Sequence, residues 1–323
     1  MDLIYTNAQR VDQGILTDCT LDLAYGSDEN DFELTVSVDG ISLEAGSVIY
    51  MEGTEYGGIV DGIRYVSDDK QVNYTGRTWH GVLNSKIIQP DSGADYYTVS
   101  GDANTILSTL ISRLGLSDLF VAETAASGIF VSSYQFTRYA AGYDGLCAML
   151  SSVGAKIHLE VLESGKVQLS ALLVANYTTQ DEWDSDQMSI DATKAWTKVN
   201  HLICLGKGDL ANRQVLHLYA GTNGTISATQ SLVGLDEYMA VYDYSNAESE
   251  AELLKSGTEK LMEYQAADSC KASITDETVA YDIGDIVGVT DNITGLSVET
   301  AITKKIVTIS GGVVTVSYKT GSD

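Results

Sequence analysis

Short runs of alternating apolar and polar residues dominate positions 1–90. Leu3, Tyr5 and Ala8 open the pattern; Leu21, Leu23 and Tyr25 then alternate with Thr20, Asp22 and Ala24. Phe32, Leu34, Val36 and Val38 repeat it against Glu33, Thr35, Ser37 and Asp39. Asp39–Gly40 reads as a tight turn, and 48–51, 58–66 and 72–88 read as further strands. A period of two sends successive side chains to opposite faces, so this spacing, cut by frequent turn residues, predicts an antiparallel sheet or barrel with one polar face. Asp28, Glu29, Asp31 and Glu33 read most simply as a solvated surface on that face.

The period changes after Pro90, the only proline. A residue before proline is pushed out of helical geometry, so Gln89–Pro90 marks a domain seam. Beyond it, Ile106, Leu107, Leu110, Ile111 and Leu114 share one helical face, with Asp102 near the start and Gly115 past the end. A second helix fits 143–153, with Leu146, Leu150 and Val153 inward and Gly154 as the stop. Between them, 129–139 reads as strand or loop. Segments 156–162 and 166–172 flank Glu163, Ser164 and Gly165 and predict a hairpin. Residues 91–185 are thus expected to form a small α/β insert, ending in an acidic surface run at 181–186.

From 186 to 323 the β pattern returns, with strands at 198–206 and 214–220. Ser245 and Glu248 have capping-box spacing, and Ala247, Ala251, Leu254, Thr258, Leu261 and Gln265 follow helical spacing, predicting a helix over 247–266. Such a helix would be roughly 30 Å long. A closing hairpin joins 306–309 to 314–318 through Gly311 and Gly312. The fold class expected is β-rich α+β: two antiparallel β regions, 1–90 and 186–323, around the α/β insert.

Composition narrows the function classes. The 323 residues are 44% hydrophobic, with 19 Lys+Arg against 45 Asp+Glu and a net charge of −26. Gripping the phosphate backbone needs positive charge, so a DNA-binding role is disfavoured. An acidic surface can still let DNA pass by repelling it, and simple solubility is the plainer explanation. Cys19, Cys147, Cys204 and Cys270 are scattered, with no CxxC and no zinc spacing, and read as free thiols of a reducing cytoplasm. The N-terminus lacks the pattern of a signal peptide, and no segment approaches the ~20 apolar residues of a membrane span.

No catalytic, cofactor or metal site emerges. His80, His158, His201 and His217 form no HExxH or related spacing, and His158 and His217 fall in expected strands as hydrogen-bonded structural residues. There is no GxSxG and no P-loop; Gly206-Lys207-Gly208-Asp209 reads as a strand-to-strand turn. Asp184 and Asp186 could chelate calcium, but the EF-hand glycine and distal glutamate are missing. With 45 acidic residues, chance carboxylate pairs carry no glycosidase signal.

Two segments carry a family resemblance. Residues 74–90, YTGRTWHGVLNSKIIQP, and Asp282-Ile283-Gly284-Asp285-Ile286-Val287-Gly288-Val289, followed by Asp291 and Thr294-Gly295, resemble elements of prophage tail proteins. Together with Lys305-Ile306-Val307 and the Gly–Gly hairpin, they resemble the baseplate hubs of PBSX-type defective prophages and tail-tip proteins of Gram-positive phages. The resemblance implies two tail-tube-like β-barrels, at 1–90 and 186–323, in a homotrimeric ring that adapts a six-fold tail tube to a three-fold spike. It implies tail tube, spike, baseplate wedge and tape-measure proteins as partners and DNA at most in transit. Assembly in the bacterial cytoplasm is implied, in a contractile phage tail or bacteriocin-like particle without stable membrane association. The terminal hairpin near Asp323 argues against a fused lytic domain in the chain. A carboxylate-lined lumen would then explain the charge.

Within these motifs Gly76 and Gly81 permit close backbone approach, and Trp79 reads as a core or interdomain anchor beside His80. Arg77 is expected to pair with a carboxylate of its own or a neighbouring subunit, and Pro90 to close the first barrel. Asp282 and Asp285 are expected as turn acceptors, with Gly284 and Gly288 fitting a turn into a barrel strand. Two other classes compete: a tail-tip cell-wall hydrolase, which would need a catalytic motif, and a carbohydrate-binding module, suggested by 19 tyrosines.

Overall fold

The computed structural model describes residues 2–27, 29–68, 70–178, 182–184, 190–193, 197–222, 224–247, 249–265, 269–275, 280–291 and 293–321. The N-terminal strands are β1 (Leu3–Thr6), β2 (Asp12–Leu16), β3 (Cys19–Gly26), β4 (Asn30–Ser37), β5 (Val48–Met51), β6 (Gly57–Val66) and β7 (Gln71–Thr78). Then come α1 (Trp79–Asn84), β8 (Ile87–Ile88), β9 (Thr98–Asp102), α2 (Ala103–Arg113), β10 (Phe120–Ala122), β11 (Phe130–Gln135), β12 (Ala140–Ala141), α3 (Gly142–Ser151), β13 (Ala155–Val161) and β14 (Val167–Leu173). The remainder is β15 (Glu182–Asp184), β16 (Ile190–Thr193), β17 (His201–Leu205), β18 (Val215–Ala220), β19 (Ile226–Ser227), β20 (Met239–Asp243), α4 (Glu250–Gln265), β21 (Ser269–Thr275), β22 (Ile286–Asp291), β23 (Leu296–Ser310) and β24 (Val313–Thr320). The protein is β-rich, built from curled antiparallel sheets and a few helices.

The chain divides into two compact units: residues 1–190, 271–290 and 299–323, and residues 191–270 and 291–298. In the first, the main sheet runs β21-β24-β23-β3-β4-β7-β6-β5-β1-β2. The C-terminal strand β23 pairs antiparallel with β3, setting Val307 opposite Leu23 and Ile309 opposite Leu21. The alternating apolar residues of β3 and β4, with Tyr74, Ile49, Val307 and Ile309, form one core. Burying an alternating face removes its apolar area from water, while the polar positions between remain solvated.

The insert packs α2 and α3 with the β10-β14-β13 sheet, around Leu107, Leu110, Phe120, Phe136, Leu146, Met149, Leu159 and Leu169. Asp102 caps α2 by accepting from Asn104 N, and further accepts from the amides of Ser127 and Gly128. Those bonds to the ionised form hold its carboxyl below the usual range against the opposing effect of desolvation.

One expected strand is partly helix. The 72–88 segment forms β7, then α1, then β8. Trp79, His80, Gly81, Val82 and Leu83 are all buried. Five consecutive buried positions do not fit a strand with one polar face, and Thr78 caps the new helix through its hydroxyl to Gly81 N. Trp79, Val82, Leu83 and Ile88 join the insert core, so the segment before Pro90 is built into the insert.

In the second unit, β19-β18-β17-β20 form a four-stranded sheet in which β17 and β20 run parallel. Leu253 and Leu261 of α4 pack with Leu202, Cys204 and Leu218. The helix starts at Glu250, where Ser249 Oγ accepts from Glu252 N. Glu248, the second half of the expected capping box, lies outside the described residues, as do Asp186 and the side chain of Asp184.

Candidate functional site

The most unusual chemistry of the first unit is a chain of charges under its sheets. Asp285 sits in the turn before β22 and is fully buried. Its amide donates to Asp282 O at 3.1 Å, and Gly284, at φ +97°, takes a conformation that disfavours any residue with a Cβ. The Asp285 carboxylate accepts from Ala175 N and Asp282 N, both at 2.9 Å, and from Lys156 Nζ at 2.6 and 2.7 Å. Lys156 Nζ also lies 2.8 Å from Asp282 Oδ2.

The chain continues through Asp282. Its Oδ1 lies 3.5 Å from Lys305 Nζ, and its Oδ2 lies 3.4 Å from His158 Nδ1. Lys305, on β23, is buried and pairs with Glu55 from the β5–β6 turn. Glu55 Oε2 lies 3.7 Å from His80 Nε2. The His80 ring stacks on Tyr25 at 4.3 Å and meets Tyr143 edge-on at 5.1 Å. The order is therefore Asp285, Lys156, Asp282, Lys305, Glu55, His80. It links the N-terminal sheet, the insert strand β13 and the C-terminal strands.

Burial and pairing pull these groups in opposite directions. For Asp282, desolvation favours the neutral acid, but His158, Lys305 and Lys156 together hold its carboxyl well below the usual range. Desolvation would lower Lys305, yet Glu55 and Asp282 outweigh it and raise its ammonium above the usual lysine range. Burial dominates at His80, pushing it down to about 4 against the pull of Glu55. His158 moves the other way, raised by its contact with Asp282. Burial, then Glu55, pushes Tyr56 up to about 12. Tyr25 Oη, Trp79 Nε1 and His80 Nδ1 are buried without a hydrogen-bond partner among the described residues.

Of the residues singled out by sequence, His80, Asp282 and Asp285 meet in this network, and Gly284 shapes its turn. Gly76 stands elsewhere, on β7: a Cβ there would lie 2.0 Å from Ile59 O, a distance no side chain tolerates. Arg77 forms a two-pronged pair with Asp61 at 2.7 and 2.8 Å and reaches Ser85. Trp79 is fully buried in the insert core. Pro90 follows β8, while Gly288 pairs through its backbone with Glu182. Glu55 and Lys156 were missed; His158 was read as a structural strand histidine, and Lys305 was noted only within its motif. The available signal was the pair of lysines at strand positions whose neighbours point inward.

In the second unit His201 and His217 meet across β17 and β18. His201 Nε2 lies 2.8 Å from His217 Nδ1, and His201 Nδ1 lies 2.6 Å from Glu237 Oε1. Gln230 Nε2 donates to the same Glu237 oxygen at 2.7 Å.

Both arrangements are built from ion pairs and hydrogen bonds. Burial raises the Cys19 and Cys204 thiols and pushes Cys147 up to about 12, so all three stay protonated and weakly nucleophilic. Among the described residues no three His, Cys, Asp or Glu side chains converge as metal ligands. No described helix is long and apolar enough to cross a membrane.

The comparison with solved structures bears on the whole chain. The 43 kDa tail protein of prophage MuSo2 from Shewanella oneidensis superposes with a TM-score of 0.61 at 11% identity, over 99% of this chain and 97% of that one. Prophage tail protein gp18 from Listeria monocytogenes EGD-e gives 0.60 at 12% identity, over 100% and 95%. The chain has the fold of prophage tail proteins. The tail protein from Neisseria meningitidis MC58 adds a third similar structure, at a TM-score of 0.53 and 13% identity over 100% and 96%. No family model and no curated protein matches the sequence.

Proposed function

We propose that this chain is a structural hub of a phage tail or tail-like particle. It would form a homotrimeric ring that adapts a six-fold tail tube to a three-fold spike and contacts the baseplate wedges. The observation that carries the reading is the end-to-end similarity to prophage tail proteins, which spans nearly the full length of both chains. In this reading the tube-like β-domains draw on both 1–90 and 186–323, with β23 and β24 of the C-terminal region joining the sheet of the N-terminal strands. Gly76, Arg77, Trp79, His80, Pro90, Asp282, Gly284, Asp285 and Gly288 then serve packing and assembly rather than catalysis.

The buried ion network suits that role, because it ties segments distant in sequence together within the first unit. A carboxylate-rich lumen would let DNA or a tape-measure protein pass without adhering, consistent with the net charge of −26. Light scattering on the purified chain tests the reading. A mass three times 34.6 kDa supports it. A stable monomer that degrades cell walls refutes it.

A further inference from the structure

We propose that the folded chain condenses the side chains of Lys156 and Asp285 into an amide, with Asp282 carrying the proton. The ion pair described above is the state from which this bond forms, and the step does not depend on the hub reading.

The reacting groups are held in contact by the backbone. Lys156 lies on β13, and Asp285 lies in the turn before β22. Ile286 N donates to Ala175 O and Tyr177 N to Ile286 O, which fixes that turn against the chain leaving β14. Lys156 Nζ is 2.6 and 2.7 Å from the two Asp285 oxygens, so it faces the carboxyl carbon between them. Such fixed proximity replaces the entropy cost of bringing two reactants together. Both side chains are withdrawn from water, at 8% and 1% exposed. Each Asp285 oxygen also accepts a backbone amide, Oδ1 from Ala175 and Oδ2 from Asp282. Donors so placed stabilise the oxyanion of a tetrahedral intermediate. Asp282 Oδ2 stands 2.8 Å from the same Nζ, within reach of its proton. Nucleophile, electrophile, base and oxyanion donors therefore converge in one buried spot.

The step balances without a co-reactant. Burial disfavours both charges, so passage of one ammonium proton to Asp285 leaves an amine facing a carboxylic acid. The nitrogen bonds to Asp285 Cγ while Asp282 takes a second proton, and the oxyanion forms on Oδ1 against Ala175 N. The C–Oδ2 bond then breaks. Oδ2 leaves as water with its own proton and the one carried by Asp282, and an amide remains. Asp282 and the adjacent His158 are 21% and 34% exposed, which gives the water an exit. The bond closes a loop between positions 129 residues apart, and that loop contains residues 191–270 of the second unit. A pull between the two ends of the chain would run through the bond and bypass that unit.

Mass spectrometry of the intact chain, held folded to constant mass and then denatured, tests the proposal. The expected species is lighter by one water, with a proteolytic fragment that joins the Lys156 and Asp285 peptides. Lys156→Arg keeps a cation beside Asp285 but offers no free amine, and Asp282→Asn removes the proton carrier; both should retain full mass. The joined fragment identifies the bond even where a variant fails to fold. Asp39–Gly40 and Asp61–Gly62 can also lose water, by closing to cyclic imides, so a loss that survives Lys156→Arg overturns the proposal. An unaltered chain of full mass, shown to be folded by circular dichroism, overturns it as well.

Discussion

Replacing Lys156 with methionine isolates the strongest link of the buried network. The substitution keeps the aliphatic length but removes the ammonium that lies 2.6 and 2.7 Å from the two Asp285 oxygens. Asp285 keeps the amides of Ala175 and Asp282, and Asp282 keeps Lys305, so neither carboxylate is stripped bare. Breaking a buried pair by removing one partner costs about 3–5 kcal/mol, and the surviving donors place this case near about 3 kcal/mol. The second half of the cycle is Lys156→Met with Asp285→Asn, which removes the stranded charge and leaves an oxygen for the Ala175 amide. The double variant should recover about 2 kcal/mol relative to additivity, as expected for groups in one network. Urea unfolding followed by tryptophan fluorescence measures both, provided the slopes with denaturant match. A Lys156→Met loss below about 1 kcal/mol, or two losses that simply add, would refute the claim that this pair locks the fold.

Other outcomes follow from the same geometry. His80 is depressed to about 4, so between that value and the ordinary ~6.5 the unfolded chain binds a proton that the folded chain refuses. Stability should fall as pH drops through this window, by up to about 3 kcal/mol, and His80→Phe should flatten that limb; an unchanged slope sinks the assignment. Asp282, held below its usual range, contributes stability that is lost only at still lower pH, as its folded-state value is approached. His158 opposes the trend: its raised pKa gives stability present below about 6.5 and lost as pH rises through the folded value. Gly76→Ala should lower stability by about 1–3 kcal/mol through collision with Ile59 O, and a neutral result in thermal unfolding would contradict the close approach. Trp79→Ala should cost about 3–5 kcal/mol and impair ring assembly; normal assembly with unchanged melting would count against both. Duplex DNA should show no binding by anisotropy at 150 mM salt, a concentration chosen as about physiological. Tight binding would contradict the transit role.

Much of the fold was legible because its signal is local. Leu21, Leu23, Leu34 and Val36 alternate in sequence and are buried in the sheet. The 156–162 and 166–172 arms became β13 and β14, and the 106–114 face became α2. What failed was also physical. The buried run from Trp79 to Leu83 has neither a strand's alternation nor a long helix's stripe, so six helical residues were read as strand.

The network was legible only at its ends. Asp282 and Asp285 stood out through their motif, but as acceptors within a turn. Their cationic partner Lys156 lies 129 residues from Asp285, and Lys305 lies 250 residues from Glu55. No spacing rule reaches that far. Lysine on a strand reads as solvated unless the pairing of distant strands is known, and here the pairing of β23 with β3 carries Lys305 inward. The His201–His217 contact was hidden for the same reason: each residue reads alone as a strand histidine until β17 and β18 are aligned.

As the proposed hub, this chain would sit where the tail tube meets the spike. Gold-labelled antibody against the purified chain, applied to intact tail-like particles in the electron microscope, measures its location directly. Label confined to the tube end that carries the spike is the expected result. Label spaced along the tail shaft, or none on particles that contain the chain, would contradict it.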